Sequence, residues 1–104
     1  MDIPFRSLAH RQGMSDSMVA PGVQVSRAAG GNLVVVAAAE VSTAGWDIEI
    51  RRITRDGTEL RVHAELRPPG EEMFTAQVIS YVAHEVAIAE LDFDRVELVL
   101  VSDG

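Results

Sequence analysis

Ser42-Thr43-Ala44-Gly45-Trp46-Asp47-Ile48-Glu49-Ile50-Arg51-Arg52-Ile53-Thr54-Arg55-Asp56-Gly57-Thr58-Glu59-Leu60-Arg61-Val62-His63-Ala64-Glu65-Leu66-Arg67 is the stretch that decides how this chain folds. A small-residue turn, Ser42 to Trp46, leads into an alternating run, an Asp56-Gly57 step and a second alternating run. Asp-Gly between two such runs is a strong hairpin signal, because a type I′ turn needs positive φ at both central residues and these two tolerate it. A turn over Arg55-Asp56-Gly57-Thr58 pairs Arg55 with Thr58 and Ile53 with Leu60. Continued unchanged, that register sets Arg51 against Val62 and Glu49 against Ala64, although Trp46, Ile48 and Ile50 share one face and Leu60, Val62, Ala64 and Leu66 another. One extra residue at Arg51-Arg52 restores the phase, so a β-bulge is expected there, with Ile50 opposite Val62, Ile48 opposite Ala64 and Trp46 opposite Leu66. The other face then carries Asp47, Glu49, Arg61, His63 and Glu65, the water-facing side of an antiparallel sheet.

Working outward, Phe5 to Leu8 reads as a short edge segment and Gln12 to Gly22 as a loop. Val23 to Arg27 alternates and closes at the Gly30-Gly31 turn. Leu33 to Ala39 is an apolar run, far too short to span a bilayer, which reads as a strand extending to Val41 and covered on both faces. Arg67-Pro68-Pro69-Gly70 stops the second hairpin strand, since proline lacks the ladder donor and restricts the residue before it. Phe74 to Ser80, Val82 to Ala89 and Arg95 to Val101 complete the set. Val78, Val82, Val86 and Ala89 also recur at helical spacing, but the β-branched density favours strands. The expectation is an all-β fold, a small antiparallel β-sandwich or partly open barrel of six or seven strands with little helix.

The chain has 104 residues, 47% hydrophobic and 24% charged, which suits one globular domain spanning residues 1–104. Its net charge of −7 and nine scattered arginines, with no lysine, argue against a nucleic-acid partner, which needs a concentrated basic face. The absence of cysteine excludes disulfides and thiolate chemistry. Met1 to Arg6 has no basic segment followed by an apolar one, so no secretory signal is present as written and the compartment stays open.

No reactive constellation emerges. His10, His63 and His84 lack ligand spacing, so no metal is expected. His84-Glu85 beside Ser80 has the residue types of a base and nucleophile but no nucleophile elbow, so no catalytic residue is assigned. Asp92 and Asp94 lack the glycine and final glutamate of a calcium loop, and Gly30-Gly31 lacks the setting of a phosphate cradle, so no cofactor is expected. Met14, Met18 and Met73, with Pro21, Pro68 and Pro69, form two loops suited to a soft apolar contact surface.

At Thr43-Ala44-Gly45-Trp46-Asp47-Ile48-Glu49-Ile50 the chain resembles the C-terminal domain of the protease-complex subunit PrcB and the bacterial proteins that share it. That family has a Thr-small-Gly-aromatic turn opening an alternating strand, a Pro-Gly turn, then a Thr-x-Gln segment running into a His. Pro69-Gly70, Thr75-Ala76-Gln77, His84 and Val86-Ala87-Ile88 are similar, as are Pro4 to Leu8 and Leu33 to Val36 upstream. The chain departs from the family in lacking its helical insert after the Val23 strand, in Val82 where Ser-Pro is common, in Glu85 at a usually apolar position and in the frequent secretory or lipoprotein signal. The resemblance implies a noncatalytic accessory domain that binds protein and assembles with or stabilises a protease. Thr43, Gly45 and Trp46 are its expected contact loop, with Pro68, Pro69 and Met73 beside it. Two alternatives stand. Ser42 to Trp46 is similar in kind to the protease-entering loop of chagasin-like inhibitors, though their Asn-Pro and Arg-Pro-aromatic motifs are missing, and a hydrolase would have to use His84. An apolar Val96 to Val101 invites strand-to-strand homodimerisation if it lies at a sheet edge.

Overall fold

The computed structural model describes residues 1–14, 21–42, 45–69 and 79–102. Seven strands follow in order: β1 (Arg6–Met14), β2 (Gly22–Arg27), β3 (Leu33–Val41), β4 (Asp47–Asp56), β5 (Glu59–Arg67), β6 (Ser80–Ile88) and β7 (Arg95–Ser102). They form two open sheets, β1-β6-β3-β2 and β4-β5-β7, rather than a closed barrel. The all-β expectation holds, and no helix among the described residues is long and apolar enough to cross a membrane.

Period-2 alternation builds the core. Leu33, Val35, Ala37, Ala39 and Val41 of β3 and Val82, Val86 and Ile88 of β6 face Ile48, Ile50, Ile53, Leu60, Val62 and Ala64 of the other sheet, all of them buried. Trp46, Leu66, Val96 and Leu98 pack against this cluster while half-buried. The acidic corner after β6 is exposed at Glu90, Asp92 and Asp94 but turns Leu91 and Phe93 inward.

The bulge lies where the apolar phase requires it, between Ile50↔Ala64 and Arg52↔His63. The individual pairs differ from expectation. Ile53 meets Val62, Ile50 meets Ala64 and Ile48 meets Leu66, each displaced by two residues, and Trp46 precedes the ladder instead of pairing with Leu66. The cause is the turn. Asp56 pairs with Glu59, so Gly57 and Thr58 are the central residues. Of these two, Gly57 has positive φ, at 63°, and Thr58 does not, which is the sign pattern of type II′ rather than I′.

Other boundaries also move. Gln12 to Met14, read as loop, continue β1, and β6 begins at Ser80 rather than Val82. It is a strand throughout, not a helix. Of the expected strand from Phe74 to Ser80, residues 74–78 lie outside the described residues. One pair departs from antiparallel order: β7 runs parallel to β5, from Glu59↔Arg95 to Leu66↔Ser102, because the chain crosses to the opposite sheet as β6 between them.

The four sheet edges are not alike. Along β4, the Ile3 N–H donates to Ile53 O and the Arg55 N–H to Met1 O, both at 2.8 Å. Further along, the Ile50 N–H donates to His84 of β6 at 2.9 Å. β1 is interrupted by two register shifts. β2 is the short strand of six residues. β7 has eight residues in unbroken register on one side, with Leu100 and Val101 exposed.

Candidate functional site

Several of the expected contact residues meet at one end of the three-stranded sheet. Gly45 has φ of 93°, a conformation glycine adopts without strain, and it hands the chain to Trp46 and β4. Asp47 pairs with Arg67, so Trp46 on one strand and Pro68 on the next leave the same end of the ladder. Glu65↔Val101 and Leu66↔Ser102 bring the exposed end of β7 there too. Pro68 is exposed and Pro69 and Trp46 half-buried. Thr43 and Met73 lie outside the described residues. Among the described residues, three of the five large exposed hydrophobics, Ile79 (72%), Leu100 (41%) and Val101 (57%), are at this end of the sandwich, Ile79 just before the Val41↔Ser80 pair from which the chain turns toward β4.

The water-facing side of the β4-β5-β7 sheet is a lattice of arginine–carboxylate pairs. Arg67 contacts Glu49 and Glu65, both at 2.8 Å, and Glu59 takes Arg61 at 2.8 Å and Arg95 at 3.1 Å. The hydrogen bond from Arg67 holds the Glu65 carboxyl below its ordinary range. Such exposed pairs contribute little to stability, and each leaves its arginine engaged.

Beside the turn lies a polar group of another kind. His84 occupies a core-facing position between Val82 and Val86 and is 2% exposed. Its Nδ1 accepts the Ile50 N–H at 2.9 Å, and its Nε2 lies 2.8 Å from Ser7 Oγ. Because the backbone group donates, Nδ1 carries the lone pair, and in the neutral ring Nε2 holds the proton and donates to Ser7. Burial, and next the neighbouring His10, lower the His84 pKa from its ordinary value. His10, its cross-strand partner on β1, stacks on it with ring centroids 3.9 Å apart and planes at 14°. His10 Nδ1 lies 3.7 Å from Asp47 Oδ1, the same oxygen that accepts the Ile48 N–H at 2.9 Å. The histidine pair thus adjoins the first residue of β4, directly after Trp46.

The imagined Ser80–His84 dyad does not form; the serine beside His84 is Ser7. There the ring faces the hydroxyl with its N–H while its lone pair is occupied, the reverse of a general base. Among the described residues no group of three or more His, Asp or Glu side chains is placed to hold a metal. A cleft of about 470 Å³ opens between the N-terminal segment and the end of β6, lined mainly by apolar groups such as Ile3, Phe5, Ile88 and Leu91.

Sequence reasoning missed the histidine pair, although one signal pointed to it: Val82-His84-Val86-Ile88 is an apolar period-2 row in which a single polar residue must share the inward face. No curated protein and no solved structure matches the chain. The sequence model of the PrcB C-terminal family matches residues 32–87, from the start of β3 almost to the end of β6 and more than half of the whole. This chain therefore belongs to the PrcB C-terminal family.

Proposed function

We propose that this chain is a noncatalytic protein-binding accessory domain that assembles with a partner protein, a protease complex being the kind of partner its family resemblance implies. One observation carries the reading: Trp46, Pro68, Pro69, Leu100 and Val101 gather at one end of a sheet in which β7 is an outer strand, paired only with β5 among the described residues. An open edge offers backbone donors and acceptors to an incoming strand, and neighbouring apolar side chains add affinity. The orientation of His84, with its lone pair committed to Ile50, supports a noncatalytic role over a hydrolase. The inhibitor reading gains less, since Trp46 packs against the core.

A second copy of the chain is a specific candidate partner. Antiparallel pairing of two β7 strands about Val99 sets Leu98 against Leu100 and Glu97 against Val101, with no like charges opposed.

Val101→Lys tests both. The new ammonium would sit beside Glu65, which keeps the fold intact while charging the edge. A protein captured from a source lysate by wild type and lost by this variant and by Thr43→Glu supports assembly, and a wild-type dimer that sediments as a monomer when Val101 is replaced makes the second copy the partner. Identical capture by all three proteins, with wild type monomeric, overturns the proposal.

A further inference from the structure

Two of the side-chain contacts between β1 and the rest of the sandwich meet at one ring. His84 reaches Ser7 and His10 on β1 and Ile50 on β4, joining three strands and both sheets through a single buried imidazole. We propose that the stacked His10–His84 pair is an acid-operated latch that holds β1 on the β6 edge, and that protonation of both rings releases β1 while the β4-β5-β7 sheet stays folded.

The chemistry follows from where the second proton must go. His10 is exposed, with Asp47 Oδ1 3.7 Å from its Nδ1. His84 already carries hydrogen on Nε2, so its proton must add to Nδ1. That consumes the lone pair that accepts the Ile50 N–H, leaves two N–H groups facing each other, and places two cationic rings 3.9 Å apart.

The charged neighbours do not cancel this. β4 contributes Asp47 and Glu49, whose carboxylates favour the cation. β1 contributes Arg11, and β6 contributes Glu85, which that arginine already pairs. β3 presents Ala37 opposite His84 and brings no charge.

What yields is set by the strand order. β6 lies between β1 and β3 and cannot leave without opening the sheet, whereas β1 is an outer strand, exposed for much of its length and already interrupted by two register shifts. Its departure would uncover the β6 edge, a second strand-binding surface available only in acid.

Amide exchange followed by NMR between pH 7.5 and 5, a range above ordinary carboxylate titration, tests the latch directly. Protection of the Ser7 to Arg11 amides, corrected for intrinsic rates, is expected to fall at least tenfold across the range while that of Leu60 to Ala64 changes by less than threefold. His10→Phe keeps the stack but removes one charge, and should move the midpoint down by at least half a pH unit; His10→Gln serves if the phenylalanine variant does not fold. Constant β1 protection, simultaneous loss in β1 and β5, or an unmoved midpoint in the folded variant would each overturn the proposal.

Discussion

The two outer strands of the three-stranded sheet face the same problem and solve it differently. β4 has its outward backbone groups occupied, by Met1 and Ile3 at one end and by a histidine ring from the opposite sheet in the middle. β7 has a regular ladder to β5 on one side, pairs no other strand among the described residues, and exposes Leu100 and Val101. Unpaired strand edges invite pairing with other chains, so proteins usually blunt them. One edge here is closed by a backbone donor, a backbone acceptor and a side-chain acceptor, and the other pairs no further strand among the described residues, beside the turn where the family resemblance places a contact loop. On the function proposed above, β4 holds the sandwich together and β7 is the strand that meets a partner.

The strongest way to break the comparison is to uncap β4. His84→Leu fills the core position but strands the Ile50 N–H, and an unsatisfied buried donor costs about 2 kcal/mol, read from urea unfolding at pH 8. The same variant should lose a pH dependence. With the folded His84 pKa depressed below its ordinary 6.5, the unfolded chain binds the proton first, so wild-type stability is full above 6.5 and falls as the pH drops toward the folded value. A leucine variant whose stability declines as steeply as wild type over that window would remove His84 from the account.

Gly57→Ala acts on the turn that β4 shares with β5. No atom lies within 4 Å of the added Cβ, so the cost is backbone strain at φ of 63° alone, about 1 kcal/mol in the same assay. An Asn at this position, which tolerates the left-handed region, should lose less. The smallest effect belongs to the open edge: Val101→Lys should change stability by less than about 0.5 kcal/mol while abolishing association. A large loss of stability would mean that Val101 serves the fold rather than a partner.

How much of this was legible in the chain depends on how local the determinant is. The bulge could be placed from the sequence because the side-chain period is two and a single inserted residue reverses the phase, visibly, between Ile50 and Ile53. The pairs themselves could not, because a slip of two residues leaves every side chain on its original face; only the conformation of Gly57 and Thr58 decides between registers. Gly45, Trp46, Pro68 and Pro69 lie at one end of the ladder because the hairpin that joins them is local, and a local hairpin is legible in the sequence. The addition of Leu100 and Val101 to that end rests on a parallel pairing between distant strands, about which alternation says nothing. His84 was seen as a residue type but not as an acceptor, because its donor, the Ile50 N–H, belongs to backbone that carries no sequence signature.

The parallel β5–β7 ladder also orders events in time. The β4–β5 hairpin closes through two residues and can form as soon as both strands exist, whereas β7 finds its place only after the chain has crossed to the other sheet as β6 and returned. Non-local pairings of that kind form slowly. During synthesis β5 therefore waits with an open edge of its own until Arg95–Ser102 arrives, and a partner strand that reached it first would be competing with the protein's own last strand.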